Sequence, residues 1–80
     1  MSEEVMAKYN EDYKERFKVE YKELKDRYNK LESTIEAYYD NTLTFQPKTP
    51  IRLLEEQLKV MSNYLVVLGL RAEFEGIILD

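Results

Sequence analysis

The sequence predicts an all-α protein: a long antiparallel hairpin of two helices at about 2–39 and 50–75, joined by a loop at 40–50. Three observations lead to this prediction. Apolar and aromatic residues recur at spacings of three and four in both segments, which is the period of a helix. No glycine or proline occurs before Pro47, and Pro47 and Pro50 then interrupt the pattern. A chain of 80 residues forms one domain at most, so 1–80 is treated as a single helical-hairpin domain.

The first helix is predicted from an apolar seam that starts close to the N-terminus. Ser2 is the expected N-cap, because acidic residues follow it where the helix dipole favours them. From Phe17 to Tyr38 the seam keeps a 4-3-4-3 heptad, but from Tyr9 to Phe17 it steps by four twice and drifts around the helix. We therefore expect residues 1–17 to form an N-terminal arm that extends beyond the second helix and packs on a neighbouring subunit.

The second helix is predicted to start with Thr49 as N-cap and Pro50 as its first residue. It carries two apolar stripes, which is more than one antiparallel partner helix would cover. The inner stripe is a heptad, and the outer stripe contains Leu53, Val60, Tyr64, Val67 and Phe74. This surplus of apolar surface predicts a homo-oligomeric helical bundle.

Composition excludes several classes of function. Histidine and cysteine are absent, which removes disulfides, the usual zinc sites and a histidine base, so no enzyme activity, metal or cofactor is expected. The net charge of −4 argues against binding of duplex nucleic acid. No apolar run is long enough to span a membrane, and the acidic start lacks the apolar core of a signal peptide, so we expect a cytoplasmic protein.

Charge and aromatic residues are concentrated in the first helix. Residues 13–30 contain seven basic and four acidic side chains, a local charge of +3, whereas the remainder carries −7. A basic patch on an acidic protein suits a small anion better than a long polyanion. Most of its lysines, Lys14, Lys18, Lys22 and Lys25, are interpreted as a solvated helix face. Arg16, Arg27 and Lys30 flank the seam and are candidates for a subunit interface.

Two tyrosines and one arginine complete the candidates from the residues alone. Tyr9 and Tyr13 lie in the drifting part of the seam, where their rings are free to stack on a base. Arg71 lies in an otherwise apolar stretch and requires an anionic partner, which Glu73, Glu75, a neighbouring subunit or a ligand phosphate would provide.

The chain resembles a family of small phage helical hairpins that includes the anti-CBASS and Thoeris anti-defence sponges, together with related uncharacterised phage hairpins. The resemblance covers roughly residues 13–72. Its motifs are Tyr13/Arg16/Phe17, Glu20/Leu24, Arg27/Tyr28/Lys30/Leu31 and Leu54/Gln57/Leu58/Met61/Tyr64/Val67/Leu68/Arg71.

The resemblance implies a homo-oligomer, commonly a hexamer, in the host cytoplasm. It implies that cyclic dinucleotides or cyclic trinucleotides, as immune second messengers, are sequestered at subunit interfaces without being cleaved. Arg27 would meet the phosphates of a cyclic dinucleotide, and Tyr13, or Tyr9 in an alternative alignment, would stack on a base. Asn29 and Arg71 would line a second pocket for cyclic trinucleotides, although Asn29 stands where the family pattern has a hydroxyl residue.

Two other functions remain open at this point. One is a helical protein-interaction module that inhibits a host defence protein through its acidic surface. The other is a phage structural hairpin without a ligand. The aromatic and basic residues favour the sponge, and the charge of −7 outside the patch favours the interaction module.

Overall fold

The computed structural model describes the backbone of residues 3–79 and the side chains of residues 11–79. Two helices, α1 (Glu3–Tyr39) and α2 (Ile51–Glu75), pack against each other as a hairpin that measures 58 × 20 × 20 Å. The predicted all-helical hairpin is confirmed, and its helices end within a residue or two of the predicted bounds. The predicted N-cap, Ser2, lies outside the described residues. Assembly into a homo-oligomeric bundle stays a prediction.

α1 ends in a left-handed turn at Asn41. The backbone φ of Asn41 is 58°, and asparagine is one of the few residues besides glycine that adopts this conformation readily. The turn lets the Thr42 N–H donate to the carbonyl oxygen of Ala37 at 2.9 Å, and the Asn41 N–H donate to that of Tyr38 at 3.2 Å. These bonds satisfy carbonyl groups that the end of a helix otherwise leaves unpaired.

α2 begins one residue later than predicted, because Pro50 is its N-cap. Pro50 has an extended conformation, with φ −55° and ψ 140°, and no side chain caps the helix. Its carbonyl oxygen accepts hydrogen bonds from the backbone N–H groups of Leu53 and Leu54, at 3.0 and 3.3 Å. The N-cap role predicted for Thr49 is therefore wrong.

The end of α2 turns the chain back along α1. Gly76 has a φ of 67°, in the left-handed region that glycine adopts at little cost. The Ile77 N–H donates to the carbonyl oxygen of Ala72 at 2.8 Å, which closes the turn. As a result Ile77 is buried in the hairpin rather than left at a free end.

The core lies at the end of the hairpin where α2 stops. Its buried residues are Phe17, Leu68, Ala72 and Ile77, and the half-buried residues packed against them are Tyr13, Tyr21, Leu24 and Leu79. The prediction that the arm extends through Phe17 and packs on another subunit is wrong for its last residues. Tyr13 and Phe17 instead pack on their own chain, since the turn at Gly76 supplies Ile77 as an extra neighbour. Packing of residues 1–12 on a neighbouring subunit stays a prediction.

Most of the outer stripe of α2 faces away from α1, but the Tyr64 hydroxyl reaches α1 and donates to the Glu20 carboxylate. Leu53, Val60, Tyr64, Val67 and Phe74 are all exposed, and Phe74 retains 91% of its accessible surface. The inner stripe is buried or half-buried against α1, and the outer stripe leaves the apolar surface exposed that the sequence predicts. No helix within residues 3–79 combines the length and apolar character that crossing a bilayer requires.

Candidate ligand-binding surfaces

Tyr13 and Arg71 meet where α2 ends, and together with Glu75 they form a cluster that we call the Arg71 cluster. Arg71 Nη2 donates to the Tyr13 hydroxyl at 2.9 Å, and the same hydroxyl donates to Glu75 Oε1 at 2.5 Å. Arg71 Nε completes the cluster by donating to Glu75 Oε2 at 3.2 Å. The guanidinium carbon lies 5.1 Å from the ring centroid of Phe17, so the cluster sits directly over the core.

The hydrogen bonds of the Arg71 cluster shift the pKa of each member in a consistent direction. Donation to Glu75 raises the pKa of the Tyr13 hydroxyl, and the same bond is the main reason that the pKa of Glu75 is lowered. The bond to Glu75 also raises the pKa of Arg71. At neutral pH the cluster therefore holds a protonated phenol, an ionised carboxylate and a charged guanidinium. Part of the positive charge of Arg71 is already balanced by its own chain.

Arg27 lies on a different surface, beside carboxylates. A cavity of about 190 Å³ is lined by Glu20, Glu23, Leu24, Arg27 and Tyr64. The Tyr64 hydroxyl donates to the Glu20 carboxylate, which raises the pKa of Tyr64. Two carboxylates at this surface weaken its attraction for a phosphate group.

The third surface is a groove between α1 and the C-terminal segment that follows Gly76. Its volume is about 330 Å³. We call it the lysine groove, because three lysines line it. The full lining is Lys18, Tyr21, Lys22, Lys25, Asp26, Asn29, Ile78 and Leu79.

Asn29 and Arg71 do not share a site within one chain. Asn29 lines the lysine groove, whereas Arg71 lies over Phe17. Twelve residues of α1 separate Phe17 from Asn29, roughly 18 Å at 1.5 Å per residue. The predicted pairing of Asn29 and Arg71 in one pocket is therefore not seen within the hairpin, and only a contact between subunits would join them.

The remaining predicted residues are distributed along α1. Arg16 and Lys30 are exposed, and the side chain of Tyr9 lies outside the described residues. Within residues 11–79 the ion pairs are Lys18–Glu15 at 3.6 Å and Arg71–Glu75 at 3.2 Å. Glu23 and Arg27 are four residues apart on α1, but they form no ion pair within these residues.

Sequence reasoning missed the lysine groove. Lys18, Lys22, Lys25 and Asn29 recur at spacings of four, three and four, which places them on one face of α1. That spacing was visible in the sequence, but a row of lysines on a helix is usually only solvated. The second wall of the groove consists of Ile78 and Leu79, and only the turn at Gly76 brings them there.

The fourth surface is a cavity at the loop end of the hairpin, and it has a different character. Its volume is about 420 Å³. The Tyr38 and Tyr39 rings meet edge to face at 5.3 Å, and the Tyr39 hydroxyl donates to Glu55 Oε1 at 2.7 Å. No basic residue lines this cavity, so it lacks the charge that a phosphorylated ligand requires. Its lining is Tyr38, Tyr39, Asn41, Leu43, Phe45, Gln46 and Pro47.

Comparison with known families gives one match. The family model described as Sequestin matches residues 11–74, which include most of both helices and the loop between them. No curated protein and no solved structure matches the chain. The match confirms the resemblance to a sponge-type sequestering family, and the family name is consistent with a sequestering function. The chain therefore belongs to the Sequestin family.

Proposed function

We propose that this protein binds cyclic oligonucleotide immune second messengers and sequesters them without cleaving them. The proposed ligands are cyclic dinucleotides or cyclic trinucleotides, and the proposed setting is the host cytoplasm, where a phage protein would deprive a defence effector of its signal. The observation that carries the proposal is the convergence of Tyr13 and Arg71, 58 residues apart in sequence, at one exposed place on a Sequestin-family hairpin.

The chemistry of the Arg71 cluster suits such a ligand. The Arg71 side chain is 48% exposed, and two of its five N–H donors are used by Tyr13 and Glu75. The remaining donors are available to phosphate oxygens, which arginine binds in a planar, two-pronged geometry. The half-buried Tyr13 ring offers an aromatic face on which a base can stack. Binding of this kind needs no catalytic group, because sequestration depends only on affinity.

Assembly is part of the proposal, because a single hairpin leaves its outer stripe uncovered. Leu53, Val60, Val67 and Phe74 are exposed at regular spacings along α2. Additional copies of the chain, in a hexamer for instance, would bury this stripe and complete ligand pockets between subunits. Arg27 would then meet a ligand at an interface, where a neighbouring subunit offsets the charge of Glu20 and Glu23.

Thermal stability and mass, measured with and without ligand, test the proposed function. We expect the purified protein to be an oligomer whose melting temperature rises with at least one cyclic di- or trinucleotide. Arg71→Gln should weaken binding more than tenfold, because a charge-assisted hydrogen bond contributes about 1.5–3 kcal/mol. Arg52→Gln is the matched control, since Arg52 is an exposed arginine that lines none of the surfaces described above. Unchanged melting with every ligand would overturn the proposal.

The exposed outer stripe also supports a second candidate function, a helical module that docks on a host protein. Phe74 and Val67 would then contact the host protein instead of another copy of the chain. This candidate predicts a protein that stays monomeric and does not respond to cyclic nucleotides. The mass measurement and the ligand panel therefore separate the two functions in one experiment.

A further inference from the structure

We infer that the lysine groove is a second phosphate-binding site, separate from the Arg71 cluster, and that its ligand combines at least two phosphate groups with a planar base. This inference rests on the proposed function for the identity of the ligand, and it adds a site that the proposed function does not assign. Neither the Arg71 cluster nor the Arg27 surface is required for it.

The charge of the groove is positive and largely unpaired. Lys18, Lys22 and Lys25 line it against one acid, Asp26. Lys18 makes a loose ion pair with Glu15 outside the groove, at 3.6 Å, whereas neither Lys22 nor Lys25 makes an ion pair within residues 11–79. Like charges that are three or four residues apart on a helix repel each other. An anion that lies along this face relieves the repulsion, and this relief contributes to the free energy of anion binding.

The second wall of the groove is apolar. Ile78 retains 79% of its accessible surface and Leu79 is half-buried. The half-buried Tyr21 ring also lines the groove, and the Lys25 ammonium lies 5.9 Å from its centroid. In the proposed complex the base lies against the apolar side chains of the groove, Ile78 and Tyr21, and its phosphates point toward the lysines. This pairing of cations with an apolar wall is typical of sites for small phosphorylated molecules rather than for inorganic anions alone.

The groove is better suited to a dianion than the other surfaces of the hairpin. Its volume of about 330 Å³ exceeds the 190 Å³ of the Arg27 cavity, which has two glutamates in its lining. In the Arg71 cluster the carboxylate of Glu75 already accepts one hydrogen bond from the guanidinium and one from the Tyr13 hydroxyl. The loop cavity has no basic residue in its lining. Within residues 11–79 the lysine groove therefore combines the most positive charge with the least internal competition.

The test compares two double variants that remove the same charge from different places. Lys22→Gln/Lys25→Gln removes two cations of the groove, and Lys48→Gln/Lys59→Gln removes two exposed cations outside it. Affinity for cyclic di-AMP and cyclic tri-AMP is measured by calorimetry, after circular dichroism has verified the fold of each variant. We expect the groove variant to lose at least tenfold in affinity and the control to stay within twofold of the original chain.

Ile78→Ser tests the apolar wall without any change of charge. Because Ile78 is mostly exposed, this substitution should leave the melting temperature of the free protein nearly unchanged while it weakens nucleotide binding three- to tenfold. Tripolyphosphate is the companion probe, since it carries phosphates but no base. The affinity for tripolyphosphate should fall in Lys22→Gln/Lys25→Gln and should not change in Ile78→Ser.

The outcomes separate this inference from the proposed function. If cyclic nucleotides bind the groove variant as tightly as the original chain, the lysine groove is refuted while the sponge function stands. If tripolyphosphate binds through the two lysines but no cyclic nucleotide binds, the phosphate site stands and the proposed function fails. If neither probe binds the original chain, both are overturned.

Discussion

Phe17 provides the sharpest test of how the hairpin is held together. Its side chain is 4% exposed, and it packs against Leu68, Ala72 and Ile77 of its own chain. Truncation to alanine removes a buried ring and leaves a cavity, which costs about 3–5 kcal/mol in comparable cores. Small domains are stable by roughly 5–15 kcal/mol, so Phe17→Ala should abolish a large part of the total. Phe74→Ala is the matched control, because Phe74 is 91% exposed and its removal from a dilute protein should change stability by less than about 0.5 kcal/mol.

Urea unfolding, followed by circular dichroism at a low and a high protein concentration, measures both effects. The prediction is a large loss for Phe17→Ala at both concentrations, and a loss for Phe74→Ala only at the concentration where copies associate. Equal losses for the two variants in dilute protein would refute the core described here. A loss for Phe17→Ala that appears only in concentrated protein would mean that Phe17 packs on a neighbouring subunit after all.

Three further predictions concern single positions. The lowered pKa of Glu75 means that its bonds to Tyr13 and Arg71 stabilise the fold above the unfolded-state pKa, near 4.5, and that this stabilisation is lost as the pH falls through the folded-state pKa. In thermal melts between pH 6 and pH 3, Glu75→Gln should therefore lose less stability than the original chain. A loss of stability as steep as that of Glu73→Gln would contradict this. Gly76→Ala should destabilise the fold by about 1–2 kcal/mol because of the φ of 67° at Gly76, whereas Gly69→Ala should stabilise it by up to about 1 kcal/mol, since no atom lies within 4 Å of the added methyl group. Urea midpoints that shift in the same direction for both variants would refute this prediction. Val67→Glu places a charge on the outer stripe and should shift native mass spectra toward the monomer, and an unchanged mass would exclude the stripe as the subunit interface.

The fold was predictable because its signals are local. Spacings of three and four, the absence of glycine and proline before Pro47, and the turn residues after Tyr39 together define two helices and one loop. The outer stripe of α2 was predictable for the same reason, since the helical period fixes which residues share a face. The helical period does not show which segments of the chain, or which other subunits, pack on a given face.

The parts that could not be predicted depend on the chain reversal at Gly76. The stepping by four from Tyr9 to Phe17 indicates that the apolar stripe of α1 drifts toward an additional neighbour, and for Phe17 that neighbour is Ile77 of the same chain. A glycine near the end of a helix signals a cap without showing where the following residues go. The same reversal builds the second wall of the lysine groove from Ile78, which no sequence pattern connects to Lys22.

The candidate site was predictable only in part. Tyr13 and Arg71 were both candidates, and Glu75 was one of the acids expected to pair with Arg71, which the structure shows. The hydrogen bond from Tyr13 to Glu75 depends on the relative position of the two helices and has no sequence signal. The separation of Asn29 from Arg71 follows from the register of the two helices, which places Arg71 over Phe17, twelve residues of α1 away from Asn29.

Equilibrium dialysis followed by recovery of the ligand tests the central claim of sequestration most directly. The protein is dialysed against cyclic di-AMP and cyclic tri-AMP, and the bound fraction is released by heat and analysed by chromatography. We predict that at least one ligand becomes concentrated on the protein side of the dialysis membrane and is recovered intact as the cyclic molecule. Equal ligand concentrations on both sides for every member of the panel, or recovery of linear products, would contradict it.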